Sequence, residues 1–206
     1  MRPLVIAHRG ASGERRENSL AAFARAIEAG ADFVELDVHP WGERELLVSH
    51  DPPRGRGRLA SLAEVLALCG RQIGVMVELK TPYRYRGSDF VARVLELLDD
   101  EAVVVCFEPG AIAAVRRRRP RLRTMQHLAS VPLAVAAAAG CWAVGLEQRR
   151  AGAAPVRRAQ ALGLKVAVYT VNEPARMLEL CELGVEAIFT DDPRAAVALF
   201  GRRPGA

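Results

Sequence analysis

Residues 33–39 read Phe33-Val34-Glu35-Leu36-Asp37-Val38-His39. Side chains two apart on a strand point the same way, so Glu35 and Asp37 share one face while Val34 and Leu36 take the other. A strand that carries carboxylates on one face and branched apolar residues on the other is the unit from which the rest of the chain can be read.

Working outward, short apolar runs of this kind recur to the end of the sequence. Eight are strand candidates: Leu4–His8, Phe33–His39, Val75–Lys80, Val103–Phe107, Leu122–His127, Ala143–Glu147, Val166–Val171 and Ala187–Thr190. Between them lie runs rich in Ala, Leu, Glu and Arg: Ser19–Ala29, Leu62–Cys69, Asp89–Leu98, Gly110–Arg118, Pro132–Ala139, Pro155–Leu162, Pro174–Leu183 and Arg194–Phe200. Strands alternating with helices predict βα units and a parallel sheet. Eight such units fit a closed (β/α)8 TIM barrel. A further strand candidate, Glu45–Ser49, follows Gly42 over a connection too short for a parallel crossover, and reads as an antiparallel hairpin tongue. No linker or repeat divides the 206 residues, so one barrel domain is expected over 1–201, with a frayed tail over 202–206.

Half of the chain is hydrophobic and 26% charged, which excludes a disordered protein. No apolar run reaches the roughly 20 residues needed to span a bilayer. The N-terminus is apolar only from Leu4 to Ala7, too short for a signal peptide, and a cytoplasmic location is expected. Cys69, Cys106, Cys141 and Cys181 form no CxxC pair and read as reduced thiols. Net charge is +5, and of the 29 basic residues only Lys80 and Lys165 are lysine. Aromatic residues are few and not interleaved with the arginines, so nucleic-acid binding is not expected. A basic surface attracts anionic substrates, and peripheral contact with a membrane is compatible with it.

In a (β/α)8 barrel the chemistry sits at the C-terminal ends of the strands. The first strand ends in His8-Arg9, the second in Glu35-Leu36-Asp37, the tongue in His50-Asp51 and the third barrel strand in Glu78-Leu79-Lys80. Three carboxylates converging from adjacent strands repel one another, and a bound divalent cation is the simplest remedy. All-oxygen ligands favour Mg²⁺ or Ca²⁺. In a chain so poor in lysine, Lys80 beside Glu78 suggests a site that wants a compact ammonium, whereas Lys165, after Gly163, reads as a surface residue. His8 and His50 are the natural proton carriers. His39 and His127 read as surface or supporting residues. Later strands end in milder groups: Cys106, Gln126 or His127, Glu147, Thr170 with Asn172, and Thr190 with Asp191.

The ordered set Ile6-Ala7-His8-Arg9-Gly10-Ala11-Ser12-Gly13, Glu17-Asn18-Ser19, Glu35-Leu36-Asp37-Val38, His50-Asp51-Pro52 and Val77-Glu78-Leu79-Lys80 resembles the glycerophosphodiester phosphodiesterases. Val168–Pro174 and Leu183–Pro193 continue the match, so it covers residues 4 to about 197. The resemblance implies that Glu35, Asp37 and Glu78 bind the divalent ion and that His8 and His50 are the catalytic acid–base pair. It further implies that Arg9 and Lys80 hold the phosphate, and that Glu17 and Asn18 line or buttress the first loop. The implied reaction is hydrolysis of small glycerophosphodiesters, such as glycerophosphocholine or glycerophosphoethanolamine, to glycerol 3-phosphate and an alcohol. Asn18 reads equally well as the N-cap of the helix that follows.

The sequence departs from the family pattern at several points. Arg16 stands where proline usually precedes the Glu-Asn pair. Tyr169 stands where tryptophan is common, and Cys106 replaces a usual serine; both, with Glu147, are candidate pocket residues. Only Pro52–Gly74 separate the His-Asp pair from the third barrel strand, leaving no room for the small inserted subdomain many members carry. The mouth should therefore be less covered, and a partner subunit could occupy the exposed rim. Three other readings are an isomerase or aldolase with Lys80 as Schiff-base nucleophile, a lysophospholipase D-like activity, and a catalytically silent barrel that binds lipid head groups.

Overall fold

The computed structural model describes residues 2–201, and the tail expected over 202–206 lies outside them. The chain runs β1 (Leu4–Ala7), α1 (Leu20–Ala29), β2 (Phe33–Trp41), β3 (Glu45–Val48), α2 (Leu62–Cys69), β4 (Gly74–Leu79), α3 (Phe90–Leu97), β5 (Val103–Cys106) and α4 (Pro109–Arg118). It continues through β6 (Arg123–His127), α5 (Leu133–Ala138), β7 (Ala143–Glu147), α6 (Ala153–Ala161), β8 (Lys165–Tyr169), α7 (Pro174–Glu182), β9 (Ala187–Thr190) and α8 (Pro193–Phe200). Parallel pairings link neighbouring staves from β4 through β9, and β2 pairs with β4 on one side and β1 on the other. The β1–β9 pairing closes the circle into a (β/α)8 barrel. The segment Glu45–Val48 is not a stave: it pairs antiparallel with the outer half of β2, Val38 opposite Val48 and Trp41 opposite Glu45. Between the tongue and β4 the chain forms α2 alone, with no inserted subdomain.

Alternation sorts the side chains into two cores. Val34, Leu36, Val77, Leu79, Val104, Val144, Val168 and Ile188 point outward and pack with the helices. Leu4, Ile6, Phe33, Met76, Val103, Val105, Met125 and Phe189 fill the barrel itself. The inward positions on the far staves are small, Ala143, Ala167 and Ala187, which makes room for the large residues of β2, β4 and β6. At the bottom the guanidinium of Arg123 lies 5.7 Å from the Phe33 ring centroid and 5.5 Å from that of Trp142. Lys165, expected in a surface loop, opens β8 at this bottom rim, where it bonds Glu186 at 2.6 Å. No helix among the described residues is long and apolar enough to cross a membrane.

Gly145 on β7 faces the imidazole of His127 on the neighbouring stave, and a side chain there would occupy the ring's own space. Gly145→Ala is expected to destabilise the fold by roughly 1–3 kcal/mol through overpacking, measured as a lower urea midpoint at unchanged slope.

Candidate active site

The site begins where β1 ends. His8 leaves the strand, and the next residue, Arg9, takes a left-handed backbone conformation (φ 58°). That turn aims the Arg9 N–H at Glu35, donating to Oε2 at 3.0 Å. Gly10 (φ 81°) follows because the loop here runs against the Ala22 backbone of α1, leaving no room for a side chain.

Glu35 and Asp37 lie on the inward face of β2, and the ladder register sets Asp37 beside Glu78 on β4. All three are buried, and each offers an oxygen such that the three atoms lie within 4.8 Å of one another. Lys80 reaches in from the end of β4, its Nζ 2.9 Å from Glu78 Oε1 and 3.4 Å from Asp37 Oδ1. Arg9 approaches from the other side, Nε 3.1 Å from Asp37 Oδ2, with a second nitrogen 2.7 Å from Glu17. Burial, then repulsion by Asp37 and Glu78, pushes the Glu35 carboxyl well above its ordinary range. Burial and then Asp37 push Glu78 up to about 7, although Lys80 opposes them. Burial alone would pull the Lys80 ammonium down, but Glu78, Asp37 and Glu35 together hold it above its ordinary value. Lys80 is thus ion-paired with two carboxylates, an arrangement that favours the ammonium over the free amine a Schiff base requires. The three oxygen donors converge on one point, and Glu35 has no cationic side chain within ion-pair distance among the described residues. The cluster therefore suits a hard divalent ion.

Asn18 is not the N-cap of α1. Ser19 is, its Oγ accepting from Ala22 N at 3.2 Å. Asn18, buried and left-handed (φ 55°), instead clamps Asp37: its amide donates to Oδ2 at 2.9 Å, and its carbonyl oxygen accepts from the Asp37 N–H at 3.2 Å.

His8 Nδ1 lies 2.8 Å from Asp191 Oδ1. Burial works against charge on Asp191, but hydrogen bonds from His8, Asn172 and Ser12 pull its carboxyl down to about 2. An ionised carboxylate only accepts, so the proton is on Nδ1 and Nε2 is left to take another. Asn172 completes this arrangement, donating to Asp191 Oδ2 at 2.8 Å and accepting from the Asp191 N–H at 2.9 Å. The sequence reading passed Asp191 over as a mild strand end. Its signal was present: it continues the inward set Ala187, Phe189 by two, and closure of β9 onto β1 sets it beside His8.

His50 stands at the end of the tongue, partly exposed, with Nδ1 3.1 Å from Asp51. His39 is fully buried beneath it. His39 Nε2–H donates to the His50 carbonyl at 3.2 Å, and its Nδ1 accepts from the Tyr85 hydroxyl at 2.9 Å. His127 is not a surface residue: it is buried inside the barrel, with ring centroids 4.7 Å from Phe107 and 4.4 Å from Tyr169. Burial, then His8 and Lys80, push it down to about 3. It is neutral, so its 3.9 Å approach to Glu78 is no ion pair. Tyr169, a candidate pocket residue, and Phe107, which had not been singled out, form an aromatic wall at the mouth. Burial first, then Glu147 and Glu78, push the Tyr169 phenol up to about 12, so it too stays neutral. Glu147 ends β7, exposed at the rim. Cys106 does not face this wall: it packs in the outer core and its thiol donates to the Leu79 carbonyl at 3.4 Å. None of the four cysteines forms a disulfide among the described residues.

Asn18→Ala removes two hydrogen bonds of Asp37 at once, one to its carboxylate and one from its N–H. It is expected to cost roughly 1–3 kcal/mol, the penalty for an unsatisfied buried group, in chemical denaturation of the metal-free protein.

The comparisons with known proteins agree with this geometry. The model of the glycerophosphoryl diester phosphodiesterase family matches residues 8–65 and 56–195. A glycerophosphodiester phosphodiesterase of Caldanaerobacter subterraneus subsp. tengcongensis is 28% identical, covering 97% of this chain and 98% of its own. A probable glycerophosphodiester phosphodiesterase 1 of Mycobacterium tuberculosis is 30% identical over 93% of this chain and 90% of its own. The structure of an Oleispira antarctica phosphodiesterase, solved with the product sn-glycerol-3-phosphate, shares the fold with a TM-score of 0.86 at 22% identity, over 96% of each chain. The chain therefore belongs to the glycerophosphoryl diester phosphodiesterase family, and it is an enzyme, a phosphoric diester hydrolase.

Proposed function

We propose that this enzyme cleaves glycerophosphodiesters, glycerophosphocholine and glycerophosphoethanolamine among them, to glycerol 3-phosphate and an alcohol. In this reading Glu35, Asp37 and Glu78 hold a divalent cation, and His8 and His50 form the acid–base pair. The observation that carries it is the buried triplet of carboxylates, its oxygens within 4.8 Å of one another, on the rim that also bears His8. Support comes from the Oleispira antarctica relative, which holds glycerol 3-phosphate.

When bound, a hard cation neutralises charge on a phosphate oxygen. The chain's own residues do the rest. Arg9 and Lys80, the two cations of the rim, orient the phosphate and stabilise its charge. His8 has its Nδ1 proton fixed by Asp191, so its Nε2 takes the proton of the attacking oxygen, and Asp191 steadies the imidazolium that results. His50, more exposed and on the tongue, gives a proton to the departing alcohol. The attacker is water, or the glycerol 2-hydroxyl with a cyclic phosphate that water then opens. His39 positions His50 through its carbonyl, and Asn18 holds Asp37.

His8→Ala and His50→Ala are expected to abolish turnover of glycerophosphocholine while thermal unfolding and metal binding stay as in the parent. Asp191→Asn is expected to lower kcat by roughly 10²–10⁴ with little change in KM. Parent-like turnover in both histidine variants removes the acid–base assignment.

Chelator is expected to stop the reaction, and Mg²⁺ or Ca²⁺ to restore it. The pH dependence has a fixed sign. Glu35 and Glu78 carry raised pKa values without metal, so the metal-free fold keeps protons that the unfolded chain loses above about 4.5. Its stability falls as pH rises from there toward about 7. Metal competes with those protons. The rise in Tm on adding the ion is therefore expected to be larger at pH 7.5 than at pH 5, and calorimetry should register proton release at the lower pH.

A further inference from the structure

Beside His50 the mouth is lined by cations that the reaction proposed above does not use. Arg16 and Arg58 border one cleft of about 270 Å³, together with His50, Asp51 and Pro53. Arg54 and Arg84 border a second, of about 600 Å³, which shares Asp51 and Pro53 with the first. The two clefts thus meet at Asp51 and Pro53, and an arginine pair borders each of them. None of the four makes an ion pair with a carboxylate among the described residues. Two acids also line the first cleft: Asp51, which lies 3.1 Å from His50, and Glu17, which pairs with Arg9 at 2.7 Å. Arg56, from the same loop, points elsewhere and pairs with Glu45 and Glu64. Like charges gathered over one cleft favour an anion between them, and guanidiniums suit the planar geometry of phosphate and carboxylate oxygens.

We infer that these clefts form a second anion subsite, which binds a phosphate or carboxylate carried on the arm of the diester that lies over His50. The preferred substrates are then glycerophosphodiesters whose alcohol is itself anionic, for example glycerophosphoglycerol bearing a terminal phosphate. Choline and ethanolamine arms, being cationic, are turned over more slowly. The inference rests on the proposed diester hydrolysis and adds the class of alcohol to it.

The test compares kcat/KM for glycerophosphocholine, glycerophosphoglycerol and glycerophosphoglycerol phosphate in the metal-loaded enzyme. The phosphorylated arm is expected to be favoured over choline by roughly tenfold at low salt, with the preference shrinking as ionic strength rises. Arg16→Gln with Arg58→Gln, and separately Arg54→Gln with Arg84→Gln, should remove the preference mainly through KM. Turnover of glycerophosphoglycerol and the Tm should stay unchanged. Equal kcat/KM for the three substrates, or a preference that survives both double variants, overturns the subsite. So does a result in which the variants leave substrate preference intact but lose co-sedimentation with vesicles of phosphatidylcholine and phosphatidylglycerol, for the arginines would then face a membrane. Failure to cleave any of the three would instead count against the proposed hydrolysis.

Discussion

Three carboxylates buried at one point are the constraint around which this molecule is arranged. Unit charges at the separations seen among Glu35, Asp37 and Glu78 repel by on the order of 3–4 kcal/mol per pair at an effective dielectric near 20. Arg9 and Lys80 offset part of this, but they are unevenly placed: Asp37 touches both, Glu78 touches Lys80, and Glu35 has only a main-chain N–H. The strain appears in the raised pKa of Glu35, which no cation touches, and of Glu78, where Lys80 does not offset burial and Asp37. A site tuned for stability alone would replace one of these acids with an apolar residue.

The barrel tolerates that strain because everything beneath it is apolar and closely packed. Phe33, Met76 and Met125 project inward from β2, β4 and β6 into space left by Ala143, Ala167 and Ala187. This plug keeps water from the carboxylates on the interior side, which raises the cost of their charge and sharpens their preference for a cation. The same tightness fixes His127 over Gly145 and keeps it neutral, so the mouth carries one uncharged aromatic wall opposite the charged cluster. The polar and apolar halves of the site follow from which residues of alternating strands face inward.

Much of this was legible in the order of residues because a strand's period is two and a closed barrel has few degrees of freedom. Glu35 with Asp37, and Glu78 with Lys80, could be set on common faces by counting, and the tongue was separated from the staves by the length of its connection. What escaped the reading depended on contacts between distant segments. Asp191 reaches His8 only because the last stave closes on the first, 183 residues away in sequence. Asn18 and Ser19 differ by one position, and whether the cap is one or the other turned on the left-handed backbone at Asn18, which nothing in its side chain requires. Cys106 packs in the outer core, one step of the alternation from Val105, yet it also borders a cleft shared with Glu78 and Lys80. Of the two readings of His127, surface or supporting, the surface one fails, since its place inside depends on a glycine on the neighbouring strand.

The charge balance also bears on how an anionic substrate would be admitted at all. Ionised, the three acids outnumber Arg9 and Lys80, and both cations are already committed to carboxylates. A phosphodiester entering this mouth would add a further negative charge and would have to compete with Asp37 and Glu78 for each donor. In the proposed reading Glu35, Asp37 and Glu78 would hold a divalent cation that offsets their charge, which would leave Arg9 and Lys80 available to phosphate oxygens. In the proposed reading the ion is therefore as necessary to substrate binding as to the chemical step. The arginines beside His50 extend the same logic outward, since they present positive charge that no carboxylate among the described residues pairs with.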